Sequence, residues 1–196
     1  MDGVSILLDG VCDNYPPYMG TPDKLRKELL EKPADIVGFS HKHPDHYNED
    51  FVKQYKRLNY ANIVGAEFED IIRKGTVSVE AFATRHIGKA TVPHTSFIIK
   101  GSKESVLFAA DASPSALKKG LWGEPKPDVV IVPYVYAVTD FAWRTTKEFG
   151  AETIIILHLP ERTNDRDGLW DMVYATIKDE SSVYLPDVGE TIKIDI

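Results

Sequence analysis

Cysteine is almost absent: Cys12 is the one thiol in 196 residues, so no internal disulfide can staple the chain. A chain of this length buries a core large enough to fold without one, and the lone thiol agrees with a reducing compartment, which places the protein in the cytoplasm. Long apolar runs are missing too. None approaches the roughly 20 residues that a bilayer-spanning helix needs, and the opening MDGVSILLDG is too short and too acidic for a secretory signal, so neither a membrane nor export is expected. Positive charge is not in excess either. The formal net charge is -7 at pH 7, which disfavours binding to a phosphate backbone because such binding rests on counterions released by lysine and arginine. A small-molecule substrate is expected, and no nucleic acid. Internal repeats, low-complexity tracts and Pro/Gly/Ser linkers are lacking as well, which points to one domain over residues 1–196.

What is present is an alternation of strand and helix signals. VSILLDG reads as a strand, and TPDKLRKELLEK as a helix with Thr21 at the N-cap and Pro22 in its first turn. ADIVGFS is a buried strand, and NEDFVKQYKRL opens as a helix on Asn48 and two acids. NIVGA and TVSVEAFAT follow as strands, and TSFIIKGSKESVLFAADA as a hairpin about Gly101 and Ser102. DVVIVPYVY is a strand, TTKEFGAETIIILHL a helix ended by Gly150 and then a strand, and GLWDMVYATIKDE a last helix. SSVYL and TIKIDI close the chain as strands.

The stretch SHKHPDHY, residues 40–47, holds half of the chain's 6 histidines together with an aspartate. Imidazole and carboxylate are the main biological ligands of zinc, so His41, His43, Asp45 and His46 read as a metal site. Four apolar strands run toward metal-capable residues: GFSH into His41, FATRH into His86, LFAAD into Asp111 and IIILH into His158. Functional groups gather where strand ends and their loops meet, so residues far apart in sequence can converge there.

This pattern, HKHPDH followed by a lone histidine, an aspartate after a small-residue strand and a final histidine, resembles the metallo-β-lactamase superfamily over nearly the whole chain. The resemblance implies an α+β fold, the four-layer αββα sandwich of two mixed β-sheets flanked by helices. It implies that His41, His43 and His86 hold one metal, that Asp45, His46 and His158 hold a second, and that Asp111 bridges them. The implied cofactors are two divalent ions, zinc foremost, with Mn2+, Fe2+ or Ni2+ as alternatives. Two dications about 3.5–4 Å apart make hydroxide available at neutral pH and clamp a carbonyl or phosphoryl oxygen, so the implied activity is hydrolysis of an ester, lactone, amide or phosphodiester in a small, anionic or neutral substrate. Asp45 carries a second, catalytic task as a proton relay. Asp9 matches an aspartate of the family that orients a histidine, or is a simple turn residue.

The chain departs from the family in starting almost on its second strand, so either the true start lies upstream or the sandwich lacks the first strand. In the second case the bare sheet edge left behind invites pairing into a homo-oligomer. His94 competes with His86 for the third ligand position; the spacing of His86 to SFII favours His86, and leaves His94 as a substrate-contacting or proton-relay residue, or a loop histidine. Arg85, Lys89, Arg162 and Arg166 are cations near ligands in sequence, Tyr134 and Tyr136 are pocket candidates, and Trp122, Trp143 and Trp170 read as packing residues. The branch resembled most is the compact one that includes lactonases; a diiron oxidoreductase is disfavoured by His43, where such relatives carry glutamate. The alternative from another class is a non-catalytic metal-binding or regulatory module on the same fold. Metal analysis by mass spectrometry is expected to find about two ions per wild-type chain and fewer in Asp111→Ala; no tightly bound metal, even after resupply, excludes the hydrolase.

Overall fold

A computed structural model describes residues 1–58, 62–88, 91–117 and 126–194. Lys89 and Trp122 lie outside the described residues. The elements are, in order, β1 (Ile6–Leu8), α1 (Asp23–Glu31), β2 (Ile36–Gly38), α2 (Glu49–Arg57), β3 (Ile63–Val64), β4 (Ile71–Lys74), β5 (Val77–Thr84), β6 (His94–Lys100), β7 (Ser105–Phe108), β8 (Val129–Pro133), α3 (Asp140–Glu148), β9 (Thr153–Leu157), α4 (Leu169–Ile177) and β10 (Val183–Tyr184). Short 3-10 turns follow β8 and β9.

The described residues form two sheets. The smaller has the order β1-β2-β3, all parallel, because α1 and α2 carry the chain back between strands. The larger has the order β10-β9-β8-β7-β6-β5-β4. It is mixed: β4 to β7 are antiparallel neighbours, whereas β7 to β10 run parallel. The expected mixture of directions is therefore met by the larger sheet alone.

Alternation along each strand builds the four layers. In β2, Ile36 faces the other sheet and joins Val79, Phe97, Ile99 and Phe108 between the sheets. Its neighbour Val37 faces outward and packs with Phe51, Val52 and Tyr55 of α2. In the larger sheet the outward side chains Leu107, Val130, Val132, Ile154 and Ile156 meet Trp143 and Phe149 on the α3 side and Val173 and Ile177 of α4. Strand period and helix stripe thus specify the same αββα order.

The directions also settle where chemistry can gather. Because β5, β7, β8 and β9 all run the same way, their C-terminal ends share one edge of the larger sheet. His86, Asp111 and His158 follow β5, β7 and β9 there. Strand β6 runs the opposite way, so its first residue, His94, arrives at that same edge, opposite Thr84.

Several local expectations are corrected. Thr21 does not cap α1: its hydroxyl donates to the Gly10 carbonyl and accepts from the Cys12 amide, and Pro22 sits at the cap. Asn48 does cap α2, its side chain accepting from the Phe51 amide at 2.6 Å. Helix α3 begins at Asp140 behind the Thr139 cap, earlier than TTKEFG suggested, because the hydroxyl of Thr139 accepts from the Ala142 amide. Strand β4 was not foreseen; it pairs with β5 through the turn at Gly75. TIKIDI forms no strand over residues 191–194, and residues 195–196 lie outside the described residues.

Gly65 shows how closely the layers meet. Its φ is +81°, and an added Cβ would lie 2.5 Å from the Phe39 carbonyl oxygen and 2.6 Å from the ring of Phe97. Gly65→Ala is therefore expected to cost about 2–4 kcal/mol, read as a lower urea midpoint at unchanged slope.

Candidate metal centre

The loop after β2 delivers His41, His43, Asp45 and His46, and the three strand ends of the larger sheet supply the rest. All seven residues expected to bind metal come together. Their ligand atoms form three groups, each within 4.8 Å: His41, His43 and His86; Asp45, His46 and His158; and His41, His46 and Asp111. Asp111 spans the other two groups. Its Oδ2 lies 3.3 Å from His46 Nε2 and 3.5 Å from His86 Nε2, and its Oδ1 lies 3.6 Å from His158 Nε2.

Hydrogen bonds behind the cluster decide which ring nitrogen faces it. The Ser40 hydroxyl donates to Asp9 Oδ2 at 2.5 Å, so its oxygen is left to accept from His41 Nδ1 at 2.8 Å. His46 Nδ1 donates to the same Asp9 oxygen at 2.9 Å, and His86 Nδ1 to the Ile87 carbonyl at 2.7 Å. With the far nitrogens protonated, the Nε2 atoms of His41, His46 and His86 present lone pairs inward whenever the rings are neutral. Outer partners of this kind fix imidazole orientation and raise its basicity toward a metal.

The donor set then fits a cation on its own geometry. His46 Nε2 and His158 Nε2 approach to 3.0 Å, His41 Nε2 and His43 Nδ1 to 3.0 Å, and His41 Nε2 and His86 Nε2 to 3.3 Å. Lone pairs at these separations repel unless a proton or a cation stands between them. Asp45 Oδ1 and Asp111 Oδ1 are buried with no hydrogen-bond partner among the described residues, an arrangement that is costly for carboxylates left alone.

A proton partly takes the cation's role in the metal-free chain. Burial by itself lowers the pKa of His46, but its hydrogen bonds to the Asp111 and Asp9 carboxylates prevail and raise it to about 11. Burial lowers His41, with the charges of His46 and His94 adding to the effect, and burial and His86 lower His43. Asp111 and Asp45 are held below the usual carboxylate range: burial opposes this, and the hydrogen bonds from His46 and His158 respectively outweigh it.

The backbone is strained where it presents these groups. Asp9, Ala110 and His158 have φ of +48°, +47° and +64°, the left-handed region that side chains other than glycine avoid. Each costs on the order of 1 kcal/mol or more, and such strain gathers at functional sites.

His94 belongs to none of the three ligand groups. It is 3% exposed and packs behind the rings of His41 and His86, with centroids at 5.1 and 5.5 Å. The Ser96 hydroxyl donates to the Ala109 carbonyl and accepts from Thr84, so the Thr84 oxygen accepts from His94 Nδ1 at 2.7 Å. His94 Nε2 is left buried without a partner, and burial lowers its pKa to about 4. Two residues gave no signal in the sequence. Ser40 links Asp9 to His41, and Tyr18, from a proline-rich loop, sets its ring edge-on to His158 at 4.3 Å. Burial, then the Tyr134 phenol and the Asp111 and Asp45 carboxylates, keep the Tyr18 hydroxyl protonated far above the normal tyrosine range. A cavity of about 190 Å³ opens beside Asp45, His46, Asp111 and His158, walled on its apolar side by Phe108, Ile131 and Leu157. Arg85 turns to the hydroxyls of Ser113 and Ser115, and Arg162 stacks on Trp170 at 3.8 Å, which makes both packing groups.

A family model described as the beta-lactamase superfamily domain matches residues 1–157. No curated protein matches the chain. Among solved structures, it is similar to a possible metal-dependent hydrolase from Veillonella parvula DSM 2008, with a TM-score of 0.67 at 15% identity, covering 99% of this chain and 94% of that one. It is similar to Igni18, a novel metallo hydrolase from the hyperthermophilic archaeon Ignicoccus hospitalis, with a TM-score of 0.61 at 18% identity, covering 100% and 93%. CmlA, a diiron beta-hydroxylase from Streptomyces venezuelae, aligns with a TM-score of 0.56 at 12% identity, over 94% of this chain and 50% of that one. Identities this low speak for a shared fold, and the fold carries more than one chemistry.

Two outcomes follow from the hydrogen bonds. Asp9→Ala frees His46 and the Ser40 hydroxyl and is expected to weaken metal binding about 10–100-fold in chelator competition. Because His46 holds a proton below pH 11, loading at pH 7–8 is expected to release protons, seen as a buffer-dependent calorimetric heat, with affinity rising as pH rises.

Proposed function

Since the chain belongs to the beta-lactamase superfamily and has the metallo-β-lactamase fold, we propose that it is a metal-dependent hydrolase with a dinuclear centre, cleaving an ester, lactone, amide or phosphodiester in a small molecule. The observation that carries this reading is the convergence of seven candidate ligand residues whose ligand atoms fall into three overlapping groups, each within 4.8 Å. His41, His43 and His86 would hold one ion, Asp45, His46 and His158 the other, and Asp111 would reach both. An imidazole-rich set with two carboxylates suits zinc, with manganese, iron or nickel as alternatives. Such ions supply Lewis acidity and bring the pKa of a water toward about 7.

The remaining roles fall to the chain itself. Asp45 keeps an oxygen without a partner beside the cluster, where it can take a proton from the attacking water and pass it to the leaving group. Asp9 and Ser40 hold His46 and His41 in register, and so keep the reacting groups in place without reorganisation. Phe108, Ile131 and Leu157 keep water from the inner side of the cavity. Tyr18, protonated and edge-on to His158, is placed to donate toward an oxygen that gains charge. His94 acts as support behind His41 and His86 and makes no contact with substrate. No helix among the described residues is long and apolar enough to cross a membrane, and free Cys12 suits a cytoplasmic protein.

Hydrolysis of at least one member of a panel of activated esters, lactones and phosphodiesters is expected of the metal-loaded chain. Asp111→Ala and His43→Ala should abolish it while retaining the native circular dichroism, and Asp45→Asn should lower kcat by about 10²–10⁴. A wild type that binds its metals but cleaves nothing on the panel would favour the non-catalytic metal-binding module.

A further inference from the structure

A second, larger opening adjoins the centre. A cleft of about 560 Å³ lies between the loop of residues 14–19 and the segment that leads from His158 into α4. Its apolar lining comes from Pro16, Pro17, Tyr18 and Met19 on one wall, and Pro160 and Leu169 on the other. Tyr18 belongs to both places: it lines the cleft and touches His158 with its ring. Pro160 follows His158 by two residues. The Tyr18 ring and the two-residue step from His158 to Pro160 thus set the cleft next to the candidate centre.

Both walls are built in advance. On the first, Tyr15 and Tyr18 exchange backbone hydrogen bonds at 3.1 and 2.8 Å, and the Gly20 amide donates to Asn14 Oδ1 at 2.6 Å. On the second, the Asp165 carboxylate accepts from the amides of Leu169 and Trp170, and the buried Trp170 indole donates to the Pro160 carbonyl at 2.8 Å. Preformed apolar clefts of roughly 300–1,000 Å³ with a few polar groups are what small-molecule sites look like. Met19 is 58% exposed and forms an apolar rim.

The polar groups there select no charge. Asp165 is committed to capping α4, Arg166 and Asp167 stand side by side with opposite signs, and Asn14 and Asn164 contribute amides. We propose that this cleft takes the uncharged acyl or aryl arm of the substrate while the scissile group sits among the metal ligands. The assignment rests on the hydrolase reading for its word "substrate", and on the cleft alone for the chemistry of the arm. It favours esters, lactones or amides of apolar acids over small polar phosphodiesters.

The test uses neutral linear amides, butanamide to octanamide, titrated calorimetrically into the metal-free and the zinc-loaded chain, beside hydrolysis of 4-nitrophenyl esters from acetate to octanoate. Burial of each added methylene is expected to tighten amide binding about three- to fourfold, with kcat/KM of the esters rising in step. Met19→Asn, at an exposed position, and Leu169→Ala should each flatten that dependence at unchanged circular dichroism. Amide affinity that is independent of length, or a length dependence untouched by both variants, overturns the proposal. Length-dependent amide binding without turnover of any ester upholds the cleft and removes the hydrolase reading; turnover without length dependence does the reverse.

Discussion

The candidate centre depends on one buried carboxylate. Asp9, its side chain 7% exposed, accepts the Ser40 amide and hydroxyl and His46 Nδ1. Burying an anion is costly unless it is matched by hydrogen bonds, and here three donors match it. The same bonds tie the end of β1 to the loop after β2 and set the protonated face of two imidazoles, His46 directly and His41 through Ser40. Without that anchor, His46 and the Ser40 hydroxyl that turns His41 would have no fixed direction.

Direction in the larger sheet is the second constraint. Ligands after β5, β7 and β9 meet because these strands share an orientation, which the hairpins β5-β6 and β6-β7 impose by reversing the chain twice. The same reversal brings His94 to the site from the opposite end of its strand. Its position behind His41 and His86 is thus a result of topology, and Thr84 takes up its Nδ1 while the residue stays 3% exposed.

Much of this was legible along the chain. Strand β2, with both faces buried, showed as an unbroken apolar run, and Asn48 announced α2 because a side-chain acceptor at a helix start has few other uses. The candidate ligand residues were legible because four strands each end at a metal-capable residue and one loop holds three histidines and an aspartate, a coincidence that no single histidine would carry. Other features were not. Thr21 looked like a cap, yet its hydroxyl found better partners in Gly10 and Cys12. Strand β4 alternates too weakly to stand out, and Ile71 and Ile72 acquire their strand conformation from pairing with β5. TIKIDI has the composition of a strand, but residues 191–194 are not in strand conformation, and strand propensity counts only when a neighbour accepts the ladder.

By itself the sequence determined the alternation of strands and helices and, through its resemblance to a family, the layered αββα class and the candidate ligand residues, because side-chain period and residue chemistry are local properties that survive any arrangement of the chain. Only the tertiary structure decided which nitrogen each imidazole presents, that Asp111 spans both groups, that His94 supports the site from behind, and that Tyr18 joins a second cleft to His158. These are relations between elements brought together by sheet order and loop closure. A linear pattern holds no distance between residues 18 and 158, so hydrogen-bond direction and contact exist only once the strands are paired.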